Sequence, residues 1–167
     1  MGSPQTSYSL NNKAGLPGQL YDADESNFVD SKPCGAVILQ PGVMVELVSG
    51  LLRIAQGTGD PNGSVAWGVV VYTSAMEPGG YPVGQEVPVL RRGRIWALCA
   101  SGATFAQGAA VNYTHSSDAS HAQGSFTNAV VSGTVGQEVS LAKGIWFQDG
   151  GLVGSSPSLA CVELNYP

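Results

Sequence analysis

The chain has 167 residues, enough for one domain, and folding at this size buries roughly 70% of the unfolded surface. Charged residues make up 11% against about 25% in an average globular chain, so the surface must be finished with Ser, Thr, Asn, Gln and backbone, as suits proteins that bury much of themselves in an assembly. A net charge of −5 with seven Lys and Arg lacks the footprint a polyphosphate needs, which argues against nucleic acid, and no apolar run approaches the length of about 18 residues of a membrane span.

The stretch Met1 to Leu10 is polar and has no basic region followed by an apolar one, so neither export nor a membrane anchor is expected. From Met1 to Pro33 the apolar residues follow neither a 2 nor a 3.6 period, and Asp22, Asp24 and Glu25 form an acidic cluster. Residues 1–33 therefore read as an extended, irregular N-terminal arm that borrows order from other surfaces, and residues 34–167 as a single β-domain. The acidic cluster lacks the Gly-containing spacing of a calcium loop and reads as a solvated or subunit-facing patch.

From Gly35 onward the 23 Gly and 10 Pro break the chain into short β-branched runs, too short for a three-turn helix. The expected strands are Ala36 to Leu39, Val43 to Val48, Leu51 to Ala55, Val65 to Tyr72, Val87 to Leu90 and Arg94 to Ala100. Ala110 to Thr114, Val130 to Val135, Val139 to Ala142, Ile145 to Gln148 and Leu159 to Leu164 follow. Turn signals lie at Gln40-Pro41-Gly42, at Ser49-Gly50, and in the run from Gly57 to Gly63. About ten or eleven short strands with turns at near-regular spacing predict an all-β fold, a compact barrel or jelly-roll-like sandwich of antiparallel strands.

Alternation supports the strands: Ala160, Val162 and Leu164 share one face, while Cys161, Glu163 and Asn165 share the other. In Arg94 to Ala100 both faces are partly apolar, which predicts cover by a second sheet or a second subunit. A short echo, Val83-Gly84-Gln85-Glu86-Val87 and Val135-Gly136-Gln137-Glu138-Val139, is followed each time by Ile-Trp (Ile95-Trp96, Ile145-Trp146). The spacers are unequal, and two similar turn-plus-strand units explain it as well as a duplication does.

Chemistry is sparse. Phosphate-loop, dinucleotide, zinc-protease and nucleophile-elbow motifs are all missing, so no catalytic residue, cofactor or metal ligand is assigned. His115 and His121 flank Asp118, a possible triad for a metal, but the Ser-rich surroundings favour a solvated loop. Cys34, Cys99 and Cys161 are odd in number and widely spaced, and read as buried free thiols of a reducing compartment, where the sequons at Asn62 and Asn112 carry no glycan. Trp67, Trp96 and Trp146 each fall in an expected strand and read as core or interface residues before a sugar-stacking platform. Arg91, Arg92 and Arg94 hold three of the seven positive charges and read as salt-bridge partners across a subunit contact.

Several ordered phrases then resemble the structural cement or head decoration proteins of tailed phages. They are Gly15-Leu16-Pro17-Gly18-Gln19-Leu20, Trp67-Gly68-Val69-Val70-Val71 and the run from Tyr81 to Leu90. Arg92-Gly93-Arg94-Ile95-Trp96, the run from Gly108 to Tyr113 and the closing run from Leu159 to Leu164 complete the series. The resemblance spans nearly the whole chain, with departures in the Ser-rich stretch Thr114 to Ser125 and the tail Gly150 to Ser158.

It implies a compact β-fold without catalytic residues that binds the outer surface of the expanded head. The implied partners are the major capsid protein and further copies of the chain, a homotrimer before a homodimer, with synthesis in the bacterial cytoplasm. Candidate contacts are Leu16, Pro17, Leu20, Tyr21 and Phe28 of the arm, together with Arg91, Arg92 and Arg94. The residues also fit a receptor- or carbohydrate-binding β-module built on its Trp residues. A third reading, a small β-barrel enzyme using His115, Asp118 and His121, requires stoichiometric metal.

Overall fold

The computed structural model describes residues 15–21, 27–35, 37–56, 65–100, 104–115, 122–127, 138–146, 150–151 and 158–165. Among them the chain is all β, with no helix. The strands are β1 (Phe28–Pro33), β2 (Met44–Val48), β3 (Leu51–Ile54), β4 (Val65–Val70), β5 (Glu86–Cys99) and β6 (Thr104–Phe105). They continue with β7 (Ala110–Thr114), β8 (Phe126–Thr127), β9 (Glu138–Trp146), β10 (Gly150–Gly151) and β11 (Ser158–Asn165).

β5 is the spine. Its first half lies between β1, from Val29↔Leu90 to Pro33↔Glu86, and β4, through Val69↔Leu90 and Val70↔Val89. At Arg92 the partner changes, and β11 takes over from Asn165↔Arg92 to Ser158↔Cys99. β11 continues to β9, β9 to β7, β7 to β8, and β8 returns to β5 through a parallel contact at Cys99↔Phe126. Those five strands close on themselves as a small barrel without free edges. On the other side β4, β2 and β3 continue the sheet as an open wing.

Two apolar layers follow from this curl. The barrel interior holds Met44, Val69, Leu90, Ile95, Ala97, Cys99, Val111, Tyr113, Phe126, Val162 and Leu164. The wing buries Cys34, Leu39, Val43, Val45, Leu52, Val70, Tyr81, Val87 and Val89. The alternation in Leu159 to Leu164 holds: Val162 and Leu164 point inward and Ala160 packs against them, while Cys161 joins a separate group with Trp96 and Leu159.

Three sequence expectations need correction. The runs Val87 to Leu90 and Arg94 to Ala100 are one 14-residue strand, because Gly93 does not turn the chain. It adopts φ 123° inside the strand, where a Cβ would overlap the Asn27 side chain. A lone Gly without a Pro or Asn neighbour marks a kink within a strand, not its end. Likewise Val139 to Ala142 and Ile145-Trp146 belong to the single strand β9, which runs through Gly144, while residues 147–148 lie outside the described residues. Ala36 lies outside the described residues and Val37 to Leu39 form no strand; Leu39 alone bridges Tyr81, with backbone bonds of 3.0 and 2.8 Å in the two directions. Val130 to Val135 and the second half of the Val-Gly-Gln-Glu-Val echo lie largely outside the described residues.

The β2–β3 hairpin turns on Ser49-Gly50, both with positive φ (51° and 81°), the geometry whose twist matches the flanking strands. Within the hairpin Glu46 faces Arg53 in register and is buried at 1% exposure. Its charge is met by Arg53 Nε on one oxygen and by the Gln56 N–H on the other at 3.0 Å, so the acid is structural.

Part of the 1–33 stretch runs along β5 of the same chain. Gly18 N–H donates to the Trp96 carbonyl (2.7 Å), Trp96 N–H to Gln19 (2.9 Å) and Tyr21 N–H to Arg94 (2.9 Å). The turn Leu16-Pro17-Gly18-Gln19 interlocks with the second Pro-Gly turn at Pro41-Gly42. A Cβ on Gly18 would lie 2.6 Å from Pro41 Cβ and 2.7 Å from the Val70 carbonyl, so only Gly fits this crossing. Cover over the outer face of β5 at Trp96, expected from a second sheet or a second subunit, comes instead from the arm of the same chain: Tyr21 rests on Trp96 with ring centroids 5.8 Å apart.

Candidate interaction surface

Several large apolar side chains lie exposed on the described surface. At the end of the wing Val37, Ile38, Leu51 and Val83 are exposed at 45%, 56%, 46% and 58%. Cys34 brings them together: its N–H donates to Gln85, its carbonyl accepts from Gly84, and the next residue, Gly35, donates to Leu52. The thiol donates to the Val37 carbonyl at 2.9 Å and reaches the Tyr81 carbonyl at 3.6 Å. Desolvation raises the Cys34 pKa, which keeps the sulfur protonated and able to donate. A buried thiol therefore pins the loop that displays Val37 and Ile38.

At the other end of β1, Phe28 and Val29 are exposed at 45% and 40% beside Arg92, which pairs with Phe28 and is itself exposed. Leu16 and Tyr72 are also exposed, and the Tyr72 N–H donates to the Gly18 carbonyl at 2.8 Å.

The three Arg residues part company. Arg91 and Trp67 are each the extra residue of a register shift, Arg91 in β5 opposite β1 and Trp67 in β4 opposite β2. Such bulges re-aim side chains, and here they aim the two at each other: the guanidinium lies 3.9 Å from the ring centroid, with Lys32 Nζ at 6.0 Å. Arg94 bridges Glu163 directly across β5 and β11 at 3.0 Å. Arg92 alone of the three projects outward.

Of the arm residues singled out from sequence, Leu16 and Phe28 are exposed and Pro17 is half-buried. Leu20 bridges Ile95 and packs on the barrel core, and Tyr21 packs on Trp96. Val37, Ile38, Leu51 and Val83 were not singled out. Their signal was present, since Val83 sits in the turn Pro82-Val83-Gly84, where an apolar side chain has no strand to bury it.

Among the described residues no three His, Cys, Asp or Glu side chains gather as a metal site. His115 is half-buried, while Asp118, His121, Asp22, Asp24 and Glu25 lie outside the described residues. Trp96 is 3% exposed and closed to a sugar; Trp67 has a ring face taken by Arg91.

The chain is thus an all-β module, a closed barrel with an open wing that leaves apolar side chains exposed. A family model described as structural cement protein (E217 gp24/Pam3 gp6) matches residues 4–165, and the chain belongs to that family. The resemblance read from the ordered phrases is therefore shown, and the protein is a phage structural protein associated with the capsid. A solved structure titled "The capsid of Myoviridae Phage XM1" shares the fold at TM-score 0.69 and 16% identity, covering 99% of this chain and 98% of that one. No curated protein matches the sequence.

Proposed function

We propose that this protein binds the outer surface of the expanded phage head and fastens neighbouring capsomers, without catalysing a reaction. The observation that carries the reading is membership of a cement family over residues 4–165. A domain with 11% charged residues and apolar side chains held in the open by a rigid wing supports it. The acting unit is a symmetric oligomer, a homotrimer before a homodimer, which offers the major capsid protein one identical patch per subunit. Several modest contacts made together raise effective concentration, so the whole leaves slowly. The 1–33 stretch adds contact area with the shell or a neighbouring subunit at an ordering cost. Synthesis in the host cytoplasm fits the three buried free thiols.

Head stability tests the reading. Heads assembled without the protein should leak DNA at lower temperature and on dilution, and adding purified protein should restore them. Heads that resist heat and dilution equally well with and without it would end the cement role.

A further inference from the structure

Two bulges in neighbouring strands turn Arg91 and Trp67 toward each other, and the chain's own needs do not explain the contact. A bulge takes its extra residue out of the ladder and recurs next to functional sites, where it re-aims a side chain. The half-buried Arg91 guanidinium lies 3.9 Å from the ring centroid, with Lys32 Nζ 6.0 Å from the same point. The indole Nε1 of Trp67 and the Nε of Arg91 are both buried with no acceptor among the described residues. Buried donors in a folded chain nearly always have a partner, so internal hydrogen bonding is not what this arrangement serves.

The other Lys and Arg side chains described are engaged. Arg53 meets Glu46, Arg94 meets Glu163, Lys32 meets Asp30 at 3.6 Å, and Arg92 has an interaction of its own. Among the described residues Arg91 has the ring alone. Its Nη1 and Nη2, equally without a bond, are not sealed off as Nε is, so they face solvent. The aromatic platform fixes a planar fork before any partner arrives, which lowers the ordering cost of a bidentate bond. At the ring Lys32 and Arg91 against Asp30 leave one positive charge, which suits a single carboxylate; a polyphosphate needs many more, on a chain of net −5.

We propose that Arg91, held on Trp67 and supported by Lys32, receives a carboxylate from an Asp or Glu side chain of the major capsid protein. The inference rests on the capsid-binding reading above and names the chemistry of one of its contacts.

The test is cosedimentation of the full chain with expanded heads across a range of salt, with light scattering on the protein alone. Wild-type binding should weaken as salt rises. Arg91→Gln should bind about tenfold more weakly at low salt and lose part of the salt dependence. Arg91→Lys, which keeps the charge without the planar fork, should fall between the two. Lys32→Gln should cost less than Arg91→Gln, because Asp30 already meets part of its charge. Converting the carboxylates on the head surface to neutral amides should close the gap between wild type and Arg91→Gln. The thermal midpoint and oligomeric state of Arg91→Gln should match wild type; Arg91→Met, whose stem still covers the ring, replaces it if it misfolds.

Arg91→Gln that binds heads as tightly as wild type, with the same response to salt, overturns the proposal, as does a gap that survives amidation. A changed oligomeric state of Arg91→Gln in the absence of heads overturns it too, since the carboxylate would then belong to a second copy. Those results leave the capsid-binding reading standing, whereas wild type that binds no heads ends that reading and this inference with it.

Discussion

The two halves of β5 face one problem, an apolar strand that must be covered on both sides, and meet it differently. From Arg92 to Cys99 the strand is enclosed: β11 lies along it, the barrel closes through β9, β7 and β8, and the interlocked Pro-Gly turns with Tyr21 seal the outer face over Trp96. From Glu86 to Leu90 it opens into a wing whose edge is guarded by Asp30, Lys32 and Pro33 and whose end leaves Val37, Ile38, Leu51 and Val83 exposed. Closure buries the apolar strand within the chain itself. The wing leaves apolar area outside the core, and it is this area that the proposed capsid contact would use.

The sharpest way to break this contrast is in the barrel. Phe126→Ala empties a site at 0% exposure and should cost about 3–5 kcal/mol, read as a lower denaturant midpoint with unchanged slope.

Next is pH. Burial, and then the charge of Glu46, push the Tyr113 phenol up to about 12. The folded phenol keeps its proton longer than the unfolded one, so the group's contribution is full below about pH 10 and is lost as pH rises through the folded value. Stability should fall by ~2 kcal/mol across that window, and Tyr113→Phe should flatten the fall. A phenolate signal from Tyr113 near its ordinary value would show that the barrel is more open than described.

Gly18→Ala combines a positive φ with overlap against Pro41 and Val70, and should cost more than ~1 kcal/mol. Hydrogen exchange should quicken at Trp96 and Tyr72, both bonded to residues 18 and 19. Arg94→Ala removes a bridge whose partners are 35% and 37% exposed, and should cost under ~1 kcal/mol, less still in high salt. Smallest for the fold is Ile38→Asp, which should leave the unfolding midpoint within about 0.5 kcal/mol while weakening binding to expanded heads.

Much of this was legible in the sequence. Alternation and turn residues locate β2, β3, β4, β7 and β11 to within a residue or two, and Ser49-Gly50 marks its hairpin. What was hidden depends on tertiary context. Nothing local in Phe28–Pro33 distinguishes a strand from irregular chain, because its partner is β5, far along the sequence. Gly93 looks like a turn until Asn27 is found beside it. The pairing of Trp67 with Arg91 arises from two bulges in different strands, which no periodicity reveals. Arg94 was expected to pair across a subunit contact, and its partner within the chain, Glu163, is found only once β11 has been laid beside β5.

Cosedimentation of the purified protein with expanded heads, alongside unexpanded precursor shells, tests the central claim most directly. The account predicts saturable binding to expanded heads alone, weakened by Ile38→Asp. Absence of binding to either form would contradict it.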